Sequence, residues 1–183
     1  MKSLILTWEN FQDQELVYPY YRLREEASIP DDVKVIANVK GKFFGIMGVN
    51  MNAHILISEL SNENFCNSLI KDNDLLVLPG GVKALEKLRQ EKVAINFLKR
   101  WGEEKKIIAS TCHGAQLLIS AGLTKGKRIS GYYSIEDDIR NSGATYVNEP
   151  FVVDGNIVTS PHYDWMGEWM HSAINLAKEL SRR

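Results

Sequence analysis

The run Ile107-Ile108-Ala109-Ser110-Thr111-Cys112-His113-Gly114 places three apolar, strand-favouring residues ahead of a short polar turn. Behind the turn, Ala115 to Ala121 reads as a helix. A second run of the same design lies upstream: Leu75-Leu76-Val77-Leu78 is a buried strand that stops at Pro79-Gly80-Gly81. Working outward, Leu4 to Leu6 and Val33 to Ala37 are strands. Lys42 to Met47, His54 to Ile57, Thr145 to Val147, Phe151 to Val153 and Ile157 to Thr159 are expected as shorter ones. Asp154-Gly155 between the last two is a tight-hairpin signal. Between the strands lie stretches of helical period. Leu16, Tyr20 and Leu23 form one stripe from Glu15 to Glu26, where Pro19 is expected in the first turn or at a kink. Ser61 to Ile70 encloses Cys66. Two helical pieces follow Gly81, and the second carries Ala94, Phe97, Leu98 and Trp101 on one face. Met166, Trp169, Ala173, Leu176 and Leu180 stripe the C-terminal helix. Strands alternating with helices predict an α/β sandwich, a mainly parallel sheet with helices on both faces.

The chain has 183 residues, which at about 150 residues per domain predicts one domain over 1–183. Its 22 basic and 23 acidic residues give a net charge of -1, no footprint for nucleic acid or an anionic membrane surface. No apolar run approaches the roughly 18 residues of a membrane span, and the N-terminus carries no secretory pattern. Two cysteines, Cys66 and Cys112, form neither a disulfide framework nor a zinc spacing. A reduced, cytoplasmic protein is the expectation.

In an open α/β sheet, ligands bind at the carboxyl ends of the strands, where the two unusual turns arrive. A cysteine on a sharp strand-to-helix turn is the thiol version of the nucleophile elbow. The helix N-terminus is expected to favour thiolate over thiol at Cys112. The N–H of His113 and one from the Gly80-Gly81 loop are candidates to hold an oxyanion. His113 is a candidate base or partner, and His162, after the last strand, is a second histidine able to reach the site. Cys66 reads as a core hydrophobe, and His54 and His171 as packed or surface histidines. Trp101, Trp165 and Trp169 are expected in the core, while Trp8 is a candidate pocket wall.

Taken together, Leu78-Pro79-Gly80-Gly81, Ala109 to Gly114 and Gly126-Lys127-Arg128-Ile129-Ser130-Gly131-Tyr132 resemble the ThiJ/PfpI superfamily, in particular its PfpI-type intracellular protease/amidase branch. So do Asp137-Asp138, Asn141-Ser142-Gly143-Ala144 and Val152-Val153-Asp154-Gly155-Asn156. The resemblance implies a flavodoxin-like three-layer sandwich of the class I glutamine amidotransferase-like kind. It implies homo-oligomers, dimer or hexamer, and neither metal nor organic cofactor. Cys112 would be the nucleophile with His113 beside it, Gly81 and His113 the oxyanion donors, and Tyr132 a wall of the pocket. Glu86 lies near the position of an acidic residue that reaches a neighbouring subunit's site.

The family places a glutamate after the first strand, in a Phe-Glu-Asp-x-Glu pattern, to hydrogen-bond the cysteine. Here the run is Phe11-Gln12-Asp13-Gln14-Glu15, with Gln12 at that glutamate's position. An amide donates a hydrogen bond and carries no acid proton. Gln12 would then keep the sulfur stabilised while removing the acid/base, which counts against glyoxalase and deglycase turnover. At Ser160-Pro161-His162-Tyr163-Asp164, where relatives often have arginine, His162 is a candidate to replace part of that function.

The leading expectation is a cysteine-dependent enzyme, hydrolase or lyase in type, acting on a small carbonyl, amide or glycated adduct. The alternative is a stress-related redox sensor or chaperone in which Cys112 is oxidised without turnover. A third reading is a binding oligomer without chemistry.

Overall fold

The computed structural model describes residues 1–181. Its elements run β1 (Ser3–Leu6), α1 (Asp13–Arg24), β2 (Val33–Ala37), β3 (Gly41–Phe44), β4 (Asn50–Ala53), β5 (Ile55–Leu56), α2 (Glu63–Asp72), β6 (Leu75–Leu78), α3 (Val82–Leu88) and α4 (Lys92–Glu103). There follow β7 (Ile107–Thr111), α5 (Ala115–Ser120), β8 (Arg128–Ile129), α6 (Glu136–Asn141), β9 (Thr145–Tyr146), β10 (Val152–Asp154), β11 (Ile157–Ser160) and α7 (Met166–Ser181).

Seven strands form one sheet in the order β10-β11-β7-β6-β1-β2-β5. Every neighbouring pair is parallel except the β10–β11 hairpin. The chain steps from β1 to β2 in one direction across the sheet, and from β6 to β7 and on to β11 in the other. Right-handed crossovers therefore put α1 on one face and α3 to α6 on the other, and α7 joins α1. Covered on both faces, β1, β6, β7 and β11 are buried at every residue, which is why they read as continuous apolar runs. Trp101 and Trp169 fill the two helical layers, and each indole N–H reaches a strand carbonyl, Ile107 and Val158 respectively. The strand order reverses between β1 and β6, the crevice where a doubly wound sheet binds ligands.

The remaining departures from the expected elements have local causes. β3 ends at Phe44, because the Asp13 carboxylate accepts the N–H groups of Met47 and Val49 at 2.8 and 2.9 Å and bends the chain there. The returning strand β4 pairs antiparallel with β3; its Asn-Met-Asn-Ala sequence carries no β-branched signal. The strand expected from His54 to Ile57 keeps only Ile55 and Leu56. Beyond it the Glu59 carboxylate takes the Leu56 N–H at 2.7 Å and starts a 3₁₀ turn, Ile57–Ser61. Pro19 lies in the second turn of α1, not the first, and removes the helical hydrogen bond to the Glu15 carbonyl. β8 and α6 have almost no apolar signature; α6 buries Ile139 alone. Trp165 is exposed rather than core.

Candidate active site

Three loops meet at the carboxyl ends of β1, β6 and β7. Cys112 follows β7 directly and begins a 3₁₀ turn, Cys112–Gly114, leading into α5. Its φ of +56° puts a non-glycine residue in the left-handed region, at a cost of about 1–2 kcal/mol. That backbone raises the side chain out of the strand direction towards the neighbouring Pro79–Gly81 loop, as an elbow requires. Gly80 permits the approach: a Cβ there would sit 2.4 Å from Glu15 Oε2 and 2.8 Å from Cys112 Cβ. Gly81, at φ +112°, is tied to the loop after β1, since the Gln12 N–H donates to the Gly80 carbonyl at 3.2 Å.

The cysteine's carboxyl partner is Glu15, and this corrects the expectation placed on Gln12. Gln12 is the N-cap of α1; its Oε1 accepts the Glu15 N–H at 3.3 Å and its amide donates to Gln14 Oε1 at 2.6 Å. A side chain at an N-cap folds back over its own first turn, which turns Gln12 away from the sulfur. Glu15, three residues on, faces the sheet and has 0% of its surface exposed. Its Oε2 accepts the Gly80 N–H at 2.7 Å. Its Oε1 is buried with no hydrogen-bond partner, and the carboxyl group and the Cys112 sulfur both border Gly80, close enough for the thiol to lower the Glu15 pKa. The second glutamate of the Phe11–Glu15 run thus does what had been assigned to the first.

Burial raises the Glu15 carboxyl to about 7, against the lowering effect of the Gly80 and Cys112 hydrogen bonds. Cys112 is 6% exposed. Burial first, and the Glu15 charge second, push its thiol well above the ordinary range, while hydrogen bonds from the His113 and Gly81 backbone pull the other way. The expected preference for thiolate is therefore reversed. α5 has only six residues behind the turn, too short a dipole to offset the lost hydration. Burial thus favours the uncharged form of both groups.

His113 is buried by the same turn. Its Nδ1 lies 3.3 Å from Cys112 Sγ and its Nε2 lies 3.3 Å from Ser134 Oγ. Burial lowers its basicity, so the ring is neutral. The backbone N–H groups of Gly81 and His113 are near enough to the sulfur to lower its thiol pKa. Tyr132 donates its N–H to the Cys112 carbonyl at 3.2 Å and lays its ring 5.0 Å from the His113 ring. Its hydroxyl is pushed up to about 12 by its contact with Tyr133. His162 stacks on the outer side of Tyr132 at 5.9 Å, with Nδ1 held by Asp164 at 3.1 Å. It belongs to the aromatic rim and not to the first contacts of the sulfur. Glu86 is exposed on α3, and its side chain makes no hydrogen bond or ion pair among the described residues. A groove of about 760 Å³ lies elsewhere, between β10 and α7, and shares none of these residues. Among the described residues no cluster of three His, Cys, Asp or Glu side chains is arranged to hold a metal, and no helix is long and apolar enough to cross a membrane.

The sequence singled out neither Glu15 nor Ser134. Glu15 carried a signal, its position three residues after an N-capping side chain. Ser134 carried none.

A parallel sheet with a strained cysteine between two strand-to-helix turns defines an α/β protein of the nucleophile-elbow class. The chain belongs to the DJ-1/PfpI family, whose sequence profile matches residues 1–176. It is 38% identical over 178 residues to a deglycase of Thermococcus kodakarensis, covering 97% of this chain and 100% of that protein. A deglycase of Pyrococcus furiosus is 36% identical over the same 178 residues, with the same coverage. The crystal structure of a ThiJ/PfpI domain protein from Brachyspira murdochii superposes with a TM-score of 0.85 at 21% identity, covering 97% of this chain and 96% of that one. That last likeness bears on the fold alone.

Proposed function

We propose that the protein is a cysteine-dependent deglycase-type hydrolase that releases amines from adducts of small reactive carbonyl compounds. The observation that carries this reading is the buried Glu15 carboxyl group beside Cys112, whose Oε1 has no hydrogen-bond partner and whose Oε2 borders Gly80 together with the Cys112 sulfur. A carboxyl group near 7 takes and returns protons at neutral pH, which removes the objection raised by Gln12. Two of the relatives are named deglycases.

As substrate arrives, the thiol proton moves to Glu15 and the sulfur bonds to the carbinol carbon that carries the amine. The carbon–nitrogen bond breaks as the amine leaves with the proton from Glu15, giving a hemithioacetal. The Gly81 and His113 N–H groups stabilise the negative charge that develops on its oxygen. Water then adds to the sulfur-bound carbon, giving one proton to Glu15, and the carbon–sulfur bond breaks to restore the thiol–carboxylate pair.

The test is release of free amine from methylglyoxal-treated amino acids, with simple amides alongside. Cys112→Ala is expected to lose at least about 1000-fold, the scale for removing a nucleophile, and Glu15→Gln at least about 100-fold, the scale for removing an acid/base. Gln12→Ala is expected to stay within about tenfold, since a cap contributes about 1 kcal/mol to helix stability. Full activity in Glu15→Gln would overturn the reading. Oxidation of Cys112 without turnover, the alternative function, would instead show a mass gain at Cys112 under mild peroxide and no amine released.

A further inference from the structure

We propose that Ser134 is a positioning residue: its hydroxyl donates to His113 Nε2 and so fixes the ring as the Nδ1–H tautomer, which gives the Cys112 sulfur a side-chain N–H donor. This deepens the reading of the same cysteine site, and it assigns His113 as a hydrogen-bond donor where a histidine beside a nucleophile is commonly read as the base.

Counting protons around the sulfur leads to this arrangement. Glu15 Oε2 is occupied by the Gly80 N–H, whereas Oε1 is buried with no hydrogen-bond partner. The carboxyl group thus has an acceptor free for the thiol proton, which leaves the sulfur lone pairs to accept. Gly81 and His113 supply backbone N–H groups to them. The remaining group in reach is His113 Nδ1 at 3.3 Å. A neutral imidazole carries one N–H, so Nδ1 donates only if Nε2 accepts. The partner of Nε2 is the Ser134 hydroxyl at 3.3 Å, which rotates freely and has no other hydrogen-bond partner among the described residues. The Tyr132 ring, 5.0 Å from the His113 ring, limits imidazole rotation. Ser134 is held within the 3₁₀ turn Tyr133–Ile135, which begins at Tyr132.

A second proton on this ring would change the arrangement, and the titratable groups facing the pair are Glu15 from α1 and Tyr132 and Tyr133 from the loop before α6. His162 lies one ring further out.

Two measurements test the proposal, and neither needs turnover. In long-range ¹⁵N–¹H spectra of the imidazole-labelled protein, with His113 assigned by substitution of the other three histidines, the pattern expected is Nδ1–H. An Nε2–H pattern overturns the proposal. Second, the alkylation rate of Cys112 by iodoacetamide is followed against pH in the wild type, Ser134→Ala and Ser134→Thr, with Cys66 replaced by serine throughout. Loss of one net hydrogen bond predicts alkylation about three- to tenfold slower in Ser134→Ala at pH 7. Its profile should move to higher pH and reach the same rate at the alkaline plateau, and Ser134→Thr should restore the wild-type curve. An unchanged profile in Ser134→Ala, or equal impairment in the alanine and threonine variants, overturns it. Should the amine-release assay fail while these shifts appear, the proposed substrate is wrong and the assignment of Ser134 stands.

Discussion

Both cysteines are buried, Cys66 at 2% and Cys112 at 6% exposure, and burial pushes both thiols up. Their surroundings diverge in every other respect. Cys66 sits inside a regular helix, and its sulfur accepts from Arg100 Nη1 at 3.3 Å. That cation favours thiolate and the Glu63 charge opposes it, and among the described residues no carboxyl group or backbone N–H forms a hydrogen bond with this sulfur. Cys112 faces a carboxyl group that disfavours thiolate at rest. In the proposed reaction that carboxyl takes the thiol proton, and the His113 and Gly81 N–H groups that lower the thiol pKa hold the oxyanion. Since burial raises both thiols, the direction of the shift does not distinguish them. The marker is a proton acceptor and an oxyanion cradle on the same sulfur, held by a backbone that an ordinary helix does not supply.

The largest effect expected from that contrast is on turnover. Cys112→Ala should reduce amine release at least about 1000-fold, the scale seen when a nucleophile is removed, while Cys66→Ala should leave kcat/KM within about twofold. Comparable losses in both variants would mean that the contrast is one of stability and not of chemistry.

Glu15 is expected to reveal itself next, through stability as well as rate. Its carboxyl stands near 7 in the folded protein against 4.5 unfolded, so the folded state binds the proton more tightly between those values. Stability from this group is complete below about pH 4.5 and is lost as pH rises through 7. At about 1.4 kcal/mol per unit, the loss at pH 8 is roughly 3 kcal/mol. Glu15→Gln is neutral at every pH and escapes it. The inactive variant should therefore resist urea better than wild type at pH 8, and the difference should vanish near pH 4.5. A difference that stays constant with pH would show that Glu15 is not a buried ionisable group in this pair.

The third effect sits at the point where the two halves of the site touch. A methyl group at Gly80 would meet Glu15 Oε2 and Cys112 Cβ at 2.4 and 2.8 Å. Gly80→Ala is expected to cost about 1–3 kcal/mol by overpacking and to slow turnover sharply, since the displaced groups are the reacting ones. Alanine at the exposed Gly167, with open space around it, is the control that should leave both quantities near wild type.

What the sequence disclosed follows the same division. Strands covered on both faces announce themselves as apolar runs, so Leu75–Leu78, Val33–Ala37 and the Ile107–Thr111 strand were legible, as was the elbow at Cys112. The glycine loop after Pro79 was legible because backbone N–H groups exposed by a turn leave a mark in composition. The carboxyl partner was not, because Gln12 and Glu15 lie three residues apart at a helix start. Sequence alignment weighs the two equally, whereas helix geometry sends one outward and the other into the sheet. Ser134 escaped notice for a related reason: its importance is a distance to a ring 21 residues away, and no local pattern encodes that. The β3–β4 turn was misread because its bend is made by Asp13, 34 residues upstream of the Met47 N–H it holds.

The smallest effect is also the most direct test of the backbone difference between the two cysteines. Cys66 lies in the interior of α2, where glycine is less favourable than alanine by about 1 kcal/mol. Cys66→Gly should thus be less stable than Cys66→Ala by that amount. At Cys112, φ of +56° penalises any side chain, and glycine relieves about 1–2 kcal/mol of that strain. Against it stands the greater freedom of glycine in the unfolded chain, about 0.4–1 kcal/mol, so Cys112→Gly should be more stable than Cys112→Ala by up to about 1.5 kcal/mol. The two alanine–glycine pairs are expected to differ in sign. If urea titrations give the same sign at both positions, the elbow is not strained, and the sulfur is held in place by its neighbours alone.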